Sequence, residues 1–267
     1  MNKKQLGILV DESYKELVAL LKWFANFGPI PTIIGGWAVY FYNPYFGSID
    51  IDIVSPSHQG RFTDLIEQYE RTHGYEFTSR EPLGLELTSR KPIIREGKTI
   101  GYMEIDACTF EDPKPRSFHE DPSKQLRYSL VAEKKYQREI TLENGAMCYI
   151  PCKPLLLLYK IKAARDRAWD LKTYGTTMDP AKTETLRGKL TKDRADILAL
   201  LDPKPTKSMV KENLSTTSFH KLVDRLNLDF ILATVRELPT HPDAIRLYNP
   251  SLQSKQVEKW IKSILIV

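Results

Sequence analysis

The run Ile33-Ile34-Gly35-Gly36-Trp37-Ala38-Val39-Tyr40, followed by Gly47-Ser48-Ile49-Asp50-Ile51-Asp52-Ile53-Val54, leaves this chain few ways to fold. It reads as an apolar strand, a Gly-Gly turn, one or two helical turns, a loop and a second strand bearing two carboxylates. Side chains alternate faces along a strand, so residues two apart share a face. Asp50 and Asp52 are therefore expected to project together, with Ile49, Ile51 and Ile53 pointing to the core. Two adjacent carboxylates repel unless something positive sits between them. A hard divalent cation such as Mg²⁺ meets that need, because it prefers oxygen ligands and leaves room for substrate phosphates. Gly35-Gly36 suits the complementary task. Without Cβ atoms the backbone can approach a phosphate closely, and the first N–H groups of the following helix are unpaired donors. Acids for a metal beside a turn for a phosphate imply phosphoryl or nucleotidyl transfer. Each half alone is a weak signal, since glycine pairs often serve packing and exposed strand positions often carry acids. The Ile-Ile before the glycines and the Ile alternation through the acids tie both halves to one core.

On these residues the chain resembles the nucleotidyltransferase superfamily that includes DNA polymerase β, whose members carry Gly-Gly or Gly-Ser, a spacer and Asp-x-Asp. It is most similar to the AbiEii-type and related minimal nucleotidyltransferases. Those begin on Gly-Gly-x-Ala, here Gly35-Gly36-Trp37-Ala38, and continue with Arg-x-Thr/Ser-x-Asp-x-Asp. The second run here is Phe46-Gly47-Ser48-Ile49-Asp50-Ile51-Asp52, so Ser48 fits and Phe46 stands where that group has Arg. The resemblance implies that Asp50 and Asp52 hold Mg²⁺ or Mn²⁺. It also implies that Gly35, Gly36 and Ser48 cradle the phosphates of an NTP such as ATP. A third acid is implied on a neighbouring strand, taking the proton of the attacking hydroxyl and helping to hold a metal. Glu104-Ile105-Asp106 offers two candidates on one strand face. Asp106 is the first choice, as the family pattern sets the acid beside the apolar end of the strand, and Glu104 is the second.

At 267 residues the chain is long enough for two packed domains or one large one. No apolar run approaches a membrane span, and the short apolar stretch near the N-terminus does not read as a signal peptide. Cys108, Cys148 and Cys152 lack the paired spacing of a zinc site and read as inert thiols of a cytoplasmic protein. The five histidines show no metal-ligand spacing, and the net charge of +5 permits a polyanionic partner without demanding one.

Helical spacing covers about 11–27, with Gly28-Pro29 as its stop, and about 57–72, with Ser57 as cap and Gly74 at the end. Strands are expected over 75–79, 85–89 and 99–110, then a loop over 111–124. A hairpin is expected from 138–142 and 147–150 around Asn144-Gly145. After Pro151-Cys152-Lys153-Pro154 the apolar period becomes helical, over 155–169, 191–201, 217–237 and 251–266, with Pro-bearing connectors at 203–214 and 238–250. The expected fold class is α+β: a nucleotidyltransferase-type domain over 1–150, with a mixed sheet flanked by helices, and a helical domain over 151–267.

In the helical half, spacing alone makes Lys160 a lysine with its stem along the core and its amine in water. The resemblance implies more. AbiEii-like proteins carry a Leu-Leu-x-x-Lys-x-x-Ala helix whose lysine contacts the triphosphate, which maps to Lys160 and Ala163. They also carry a Lys/Arg-Asp-x-x-Asp-Leu/Ile motif, here Lys192-Asp193-Arg194-Ala195-Asp196-Ile197. Asp193 then joins the nucleotide site, although an acid in a first helical turn explains it equally well. Arg165, Arg167 and Lys192 are either groups for the departing pyrophosphate or surface charges.

The resemblance thus implies an enzyme of the nucleotidyltransferase class, moving NMP from an NTP to a hydroxyl of tRNA or another RNA, with a toxin-like outcome and an antitoxin partner. A small-molecule acceptor such as an aminoglycoside is the enzymatic alternative. A catalytically degenerate nucleotide- or partner-binding module is the second alternative, and a structural protein using its helical half as an interaction surface is the third.

Overall fold

The computed structural model describes residues 3–80, 87–112, 114–142 and 145–265. They divide into two compact units. The first comprises Met1–Tyr40, Gly47–Lys114 and Arg127–Cys152, and the second Phe41–Phe46, Pro115–Leu126 and Lys153–Val267. The short segments 41–46 and 115–126 therefore belong with the helical half, which a single cut near residue 150 does not capture.

Among its described residues the first unit holds a seven-stranded sheet. Its strands are β1 (Thr32–Ile33), β2 (Ile51–Ser55), β3 (Glu76–Arg80), β4 (Leu87–Arg95), β5 (Lys98–Thr109), β6 (Gln137–Thr141) and β7 (Met147–Pro151), in the order β3-β4-β5-β2-β1-β7-β6. The sheet is mixed: β2–β5 and β1–β7 are parallel, and the remaining pairs are antiparallel. Helices α1 (Lys3–Phe27) and α3 (Gln59–His73) pack against it, and α2 (Gly35–Tyr42) follows β1 directly. This is the expected α+β architecture of a mixed sheet flanked by helices. The apolar stripes meet in one core: Leu17, Leu20, Leu21 and Phe24 of α1, Phe62, Ile66 and Tyr69 of α3, and Ile53 and Ile105 of the sheet are all buried.

Local details depart from the expectations for identifiable reasons. Helix α1 begins well before residue 11. Helix α3 starts after His58, and Ser57 does not cap it. Glu111 does, accepting from Gln59 N at 3.2 Å, a long-range partner that no local pattern reveals. Gly74 ends the helix with φ +75° as expected. The β6–β7 hairpin forms, whereas Asn144 lies outside the described residues, as do residues 85–86 of the strand expected over 85–89 and Ile266 of the last expected helix.

The second unit is built on α4 (Lys153–Tyr174) and α5 (Pro180–Leu201), which pack together across a short connection. Helix α5 begins eleven residues before the expected start. Its first half is mostly exposed and carries no apolar period. What starts it is Asp179, whose carboxylate accepts from Ala181 N and Lys182 N, with Pro180 at the first helical position. The helix expected over 217–237 is interrupted: α6 (Thr216–Leu226) stops at Asn227, whose φ of +53° takes a left-handed cap, and α7 (Leu232–Glu237) resumes after a 3₁₀ turn. Within the expected connector at 238–250 lies α8 (Pro242–Tyr248), and α9 (Ser254–Leu265) closes the chain with Val257, Ile261 and Ile264 inward. Among the described residues no helix is long and apolar enough to cross a membrane.

All three cysteines are buried and unbridged. Burial pushes the Cys148 thiol up to about 12, so it stays protonated and inert near neutral pH.

Candidate functional site

The sequence-predicted site residues fall into two groups, one in each unit. In the first unit, the β2–β5 register sets Asp52 directly opposite Asp106, with Ile51 opposite Ile105 and Ile53 opposite Ala107. Paired residues of neighbouring strands share a sheet face, so the two carboxylates stand side by side. The isoleucines and Ala107 turn to the buried face. Asp106 and Glu104 share a face of β5, yet their neighbours differ. Asp106 adjoins Asp52, while Glu104 lies one position beyond the end of the β2 ladder and opposite Arg90 of β4. Asp50 occupies the bend before β2 rather than the strand itself, so strict alternation does not govern its direction. Asp50, Asp52, Glu104 and Asp106 are all half-buried.

The Gly-Gly turn abuts this pair. Ile34 N donates to Asp52 O at 3.0 Å, which docks the end of β1 on β2. Gly35 follows with φ +66°, the left-handed region, and starts α2. A Cβ added there would fall on the Asp52 carboxylate, within 2.6 Å of its Cγ. Only glycine lets the turn lie against the acid. Gly36 is buried in the first turn of α2, and Trp37 behind it is fully buried, its Nε1 donating to Ser13 Oγ at 3.2 Å. That anchor holds the helix start against α1. Gly47, with φ +88°, brings the loop carrying buried Ser48 past the same indole; a Cβ there would meet Val10 Cγ1 at 2.7 Å. Gly35→Ala is expected to lose about 2–4 kcal/mol, from left-handed strain and from overlap with Asp52. Chemical denaturation checks this, and a loss below about 1 kcal/mol would mean that the turn relaxes away from the acid.

Does this donor set fit a divalent cation? Among the described residues no group of three or more His, Cys, Asp or Glu side chains forms a metal-ion cluster, so the four acids named from sequence are not gathered into one cage. The Asp52–Asp106 pair fits Mg²⁺ nevertheless. That ion is commonly held through one or two carboxylates, with substrate phosphates and water supplying the rest.

In the second unit, Lys160 is not the surface lysine that spacing alone suggests. Its ammonium is 2.7 Å from Asp196 Oδ2 and 3.5 Å from Asp193 Oδ1, and the residue is 8% exposed. Arg167 pairs with Asp193, and Lys192 reaches Asp196 at 3.1 Å. Tyr45 donates its hydroxyl to Asp196. Asp193 lies deep within α5, so the first-turn explanation for it does not apply. Lys160, Arg167 and Lys192 thus meet the Asp193 and Asp196 carboxylates in one cluster. Burial disfavours the Asp196 carboxylate, but the Lys160 and Lys192 ammonium groups outweigh it and hold the carboxyl below its ordinary range. Burial and the adjacent Asp196 charge raise the Tyr45 hydroxyl well above its usual value, so it remains a neutral donor.

Sequence reasoning did not select Asp196 and Tyr45 as site residues. The signal for Asp196 was its three-residue spacing from Asp193 on one helix face; Tyr45 is distant in sequence and gave none. Phe46, where the AbiEii group has Arg, lies under Lys192, with Nζ 5.8 Å from the ring centroid. Arg165 is neither a surface charge nor part of this cluster: it pairs with Glu120 and donates to Phe230 O at 3.2 Å.

No family model matches the chain, and no curated protein matches it. Solved structures similar to it are nucleotidyltransferase-like. One is an antigenic nucleotidyltransferase-like protein from Paracoccidioides brasiliensis, 16% identical, covering 88% of this chain and 94% of that one at a TM-score of 0.42. Another is MenT4, a nucleotidyltransferase toxin from Mycobacterium tuberculosis, 13% identical, covering 97% of this chain and 93% of that one at a TM-score of 0.37.

Proposed function

We propose that this chain is a metal-dependent nucleotidyltransferase that moves NMP from an NTP to an acceptor hydroxyl, with RNA such as tRNA as the acceptor class. The observation that carries the reading is the in-register Asp52–Asp106 pair with the Gly35 turn packed against it. Asp52 and Asp106 would hold Mg²⁺ or Mn²⁺, with Asp50 and Glu104 at the margin of the pair. When bound, the metal supplies charge neutralisation at the phosphates and acidifies the attacking hydroxyl. The chain's own groups do the rest. The backbone N–H groups at the start of α2, after Gly35 and Gly36, serve as fixed donors to phosphate oxygens, with the Ser48 loop beside them. Asp106 takes the proton of the acceptor hydroxyl. Lys160 is proposed as a nucleotide contact by resemblance alone, with Asp193 and Asp196 holding its ammonium in place.

The test incubates wild-type protein with Mg²⁺ or Mn²⁺, each α-labelled NTP in turn, and total tRNA or an aminoglycoside. Label transferred to tRNA, and abolished by EDTA, is the expected result. Transfer to the aminoglycoside alone would keep the enzyme class and replace the acceptor. No transfer and no metal-dependent NTP binding would overturn the proposal in favour of a degenerate module.

A further inference from the structure

A cavity of about 250 Å³ lies within the second unit, among α4, α5, α7 and the segment 115–126. Two of its charged lining residues satisfy each other: Arg165 pairs with Glu120, and its remaining donors go to Phe230 O and to Thr234 Oγ1 at 2.9 Å. Arg194 and Lys172 differ. Both line the cavity, and neither makes a hydrogen bond or ion pair among the described residues. Trp169 lines the same space, and its indole N–H has no partner among them either. Alanines 164 and 168 line it from α4.

A half-buried guanidinium without a hydrogen-bonding partner is costly, because it gives up part of its water. Burial works against the charge of Arg194, and the field of Glu237 only partly offsets that. With Glu120 paired to Arg165, the lining keeps two cations, Arg194 and Lys172, against the one carboxylate of Glu237, together with an indole donor. That balance favours an oxyanion, and guanidinium and phosphate are matched in geometry. The indole adds a flat apolar wall for a ring.

We propose that this cavity binds a small phosphorylated molecule, its phosphate between Arg194 and Lys172 and its planar ring against Trp169. This site is separate in residues from the Asp52–Asp106 pair and from the Lys160 cluster, and the proposal does not depend on the transferase reading.

The experiment is calorimetric titration of the full chain with phenyl phosphate, inorganic phosphate and benzoate in turn. Phenyl phosphate is expected to bind once per chain, and the other two at least about tenfold more weakly. Arg194→Gln, Trp169→Leu and Lys172→Gln are each expected to weaken phenyl phosphate about tenfold. Lys172 is exposed, so its variant tests the site even if the other two fail to fold. Asp52→Asn is expected to bind like wild type. No detectable binding, or unchanged affinity in Lys172→Gln, would overturn the proposal. So would benzoate binding as tightly as phenyl phosphate, or loss of binding in Asp52→Asn.

Discussion

Asp52→Asn is expected to lower nucleotidyl transfer about 10³-fold while leaving the metal-free protein at least as stable as wild type. The two halves of this prediction have one cause. Asp52 and Asp106 face each other across neighbouring strands, about 4.8 Å apart in a sheet. With a divalent cation between them their charges are useful; without one they repel. Asn keeps the shape and one acceptor but removes a charge. The metal then loses half of its carboxylate set, and several kcal/mol of transition-state stabilisation go with it, each 1.4 kcal/mol costing about tenfold in rate. In EDTA the melting temperature should stay level or rise slightly, as the repulsion is relieved. Wild type should gain stability with Mg²⁺, by about 2.7 kcal/mol at a hundredfold excess over its dissociation constant, and the variant should gain far less. An active Asp52→Asn enzyme, or a variant that melts many degrees lower in EDTA, would remove Asp52 from the metal site.

The second large effect concerns the helical unit. Asp196→Ala is expected to destabilise the protein by about 3–5 kcal/mol, because it takes the nearer carboxylate from the buried Lys160 ammonium, leaving it Asp193 at 3.5 Å, and leaves the Tyr45 hydroxyl without its acceptor. Replacing both partners should be milder than replacing one. Lys160→Met/Asp196→Leu removes the two charges together and is expected to lie closer to wild type than Asp196→Ala, though it should still fail in transfer. Denaturant unfolding of the single and double variants decides this; a double variant that loses the sum of both single effects would show that the pair does not act as a unit.

The pH dependence follows with a definite sign. The folded-state pKa of Asp196 is depressed, so the unfolded chain binds the proton more readily. The stabilisation is then complete above the ordinary carboxylate value of about 3.9 and is lost as pH falls through the lower folded value. Wild type should hold this contribution at pH 5–7 and shed it in acid, and Asp196→Ala should show a shallower acid slope. Equal slopes would assign the acid sensitivity to other carboxylates.

Particular elements show how far reading by pattern could go. The Gly35-Gly36 turn, Asp52 of β2 and the β5 acids were legible because each depends on a few adjacent residues: a glycine where φ must be positive, and alternation where one face is buried. Asp50 was not, because it falls in the bend before β2. The β6–β7 hairpin and the Gly74 cap were legible for the same reason. The start of α5 was not, because Asp179 and Pro180 open a stretch with no apolar period to signal a helix. The α3 cap was misread because its acceptor, Glu111, is distant in sequence.

By itself, then, the sequence determined the local chemistry: where acids, glycines and apolar periods fall, and hence the class of α+β fold. Tertiary structure alone decided which of these meet. The parallel pairing of β2 with β5 chose Asp106 over Glu104 as the neighbour of Asp52. Packing of α4 on α5 turned Lys160 from a surface lysine into the centre of a buried ion network. The physical reason is that spacing fixes the direction of a side chain relative to its own element. Its partners and its dielectric surroundings come from other elements, brought close only when the core closes.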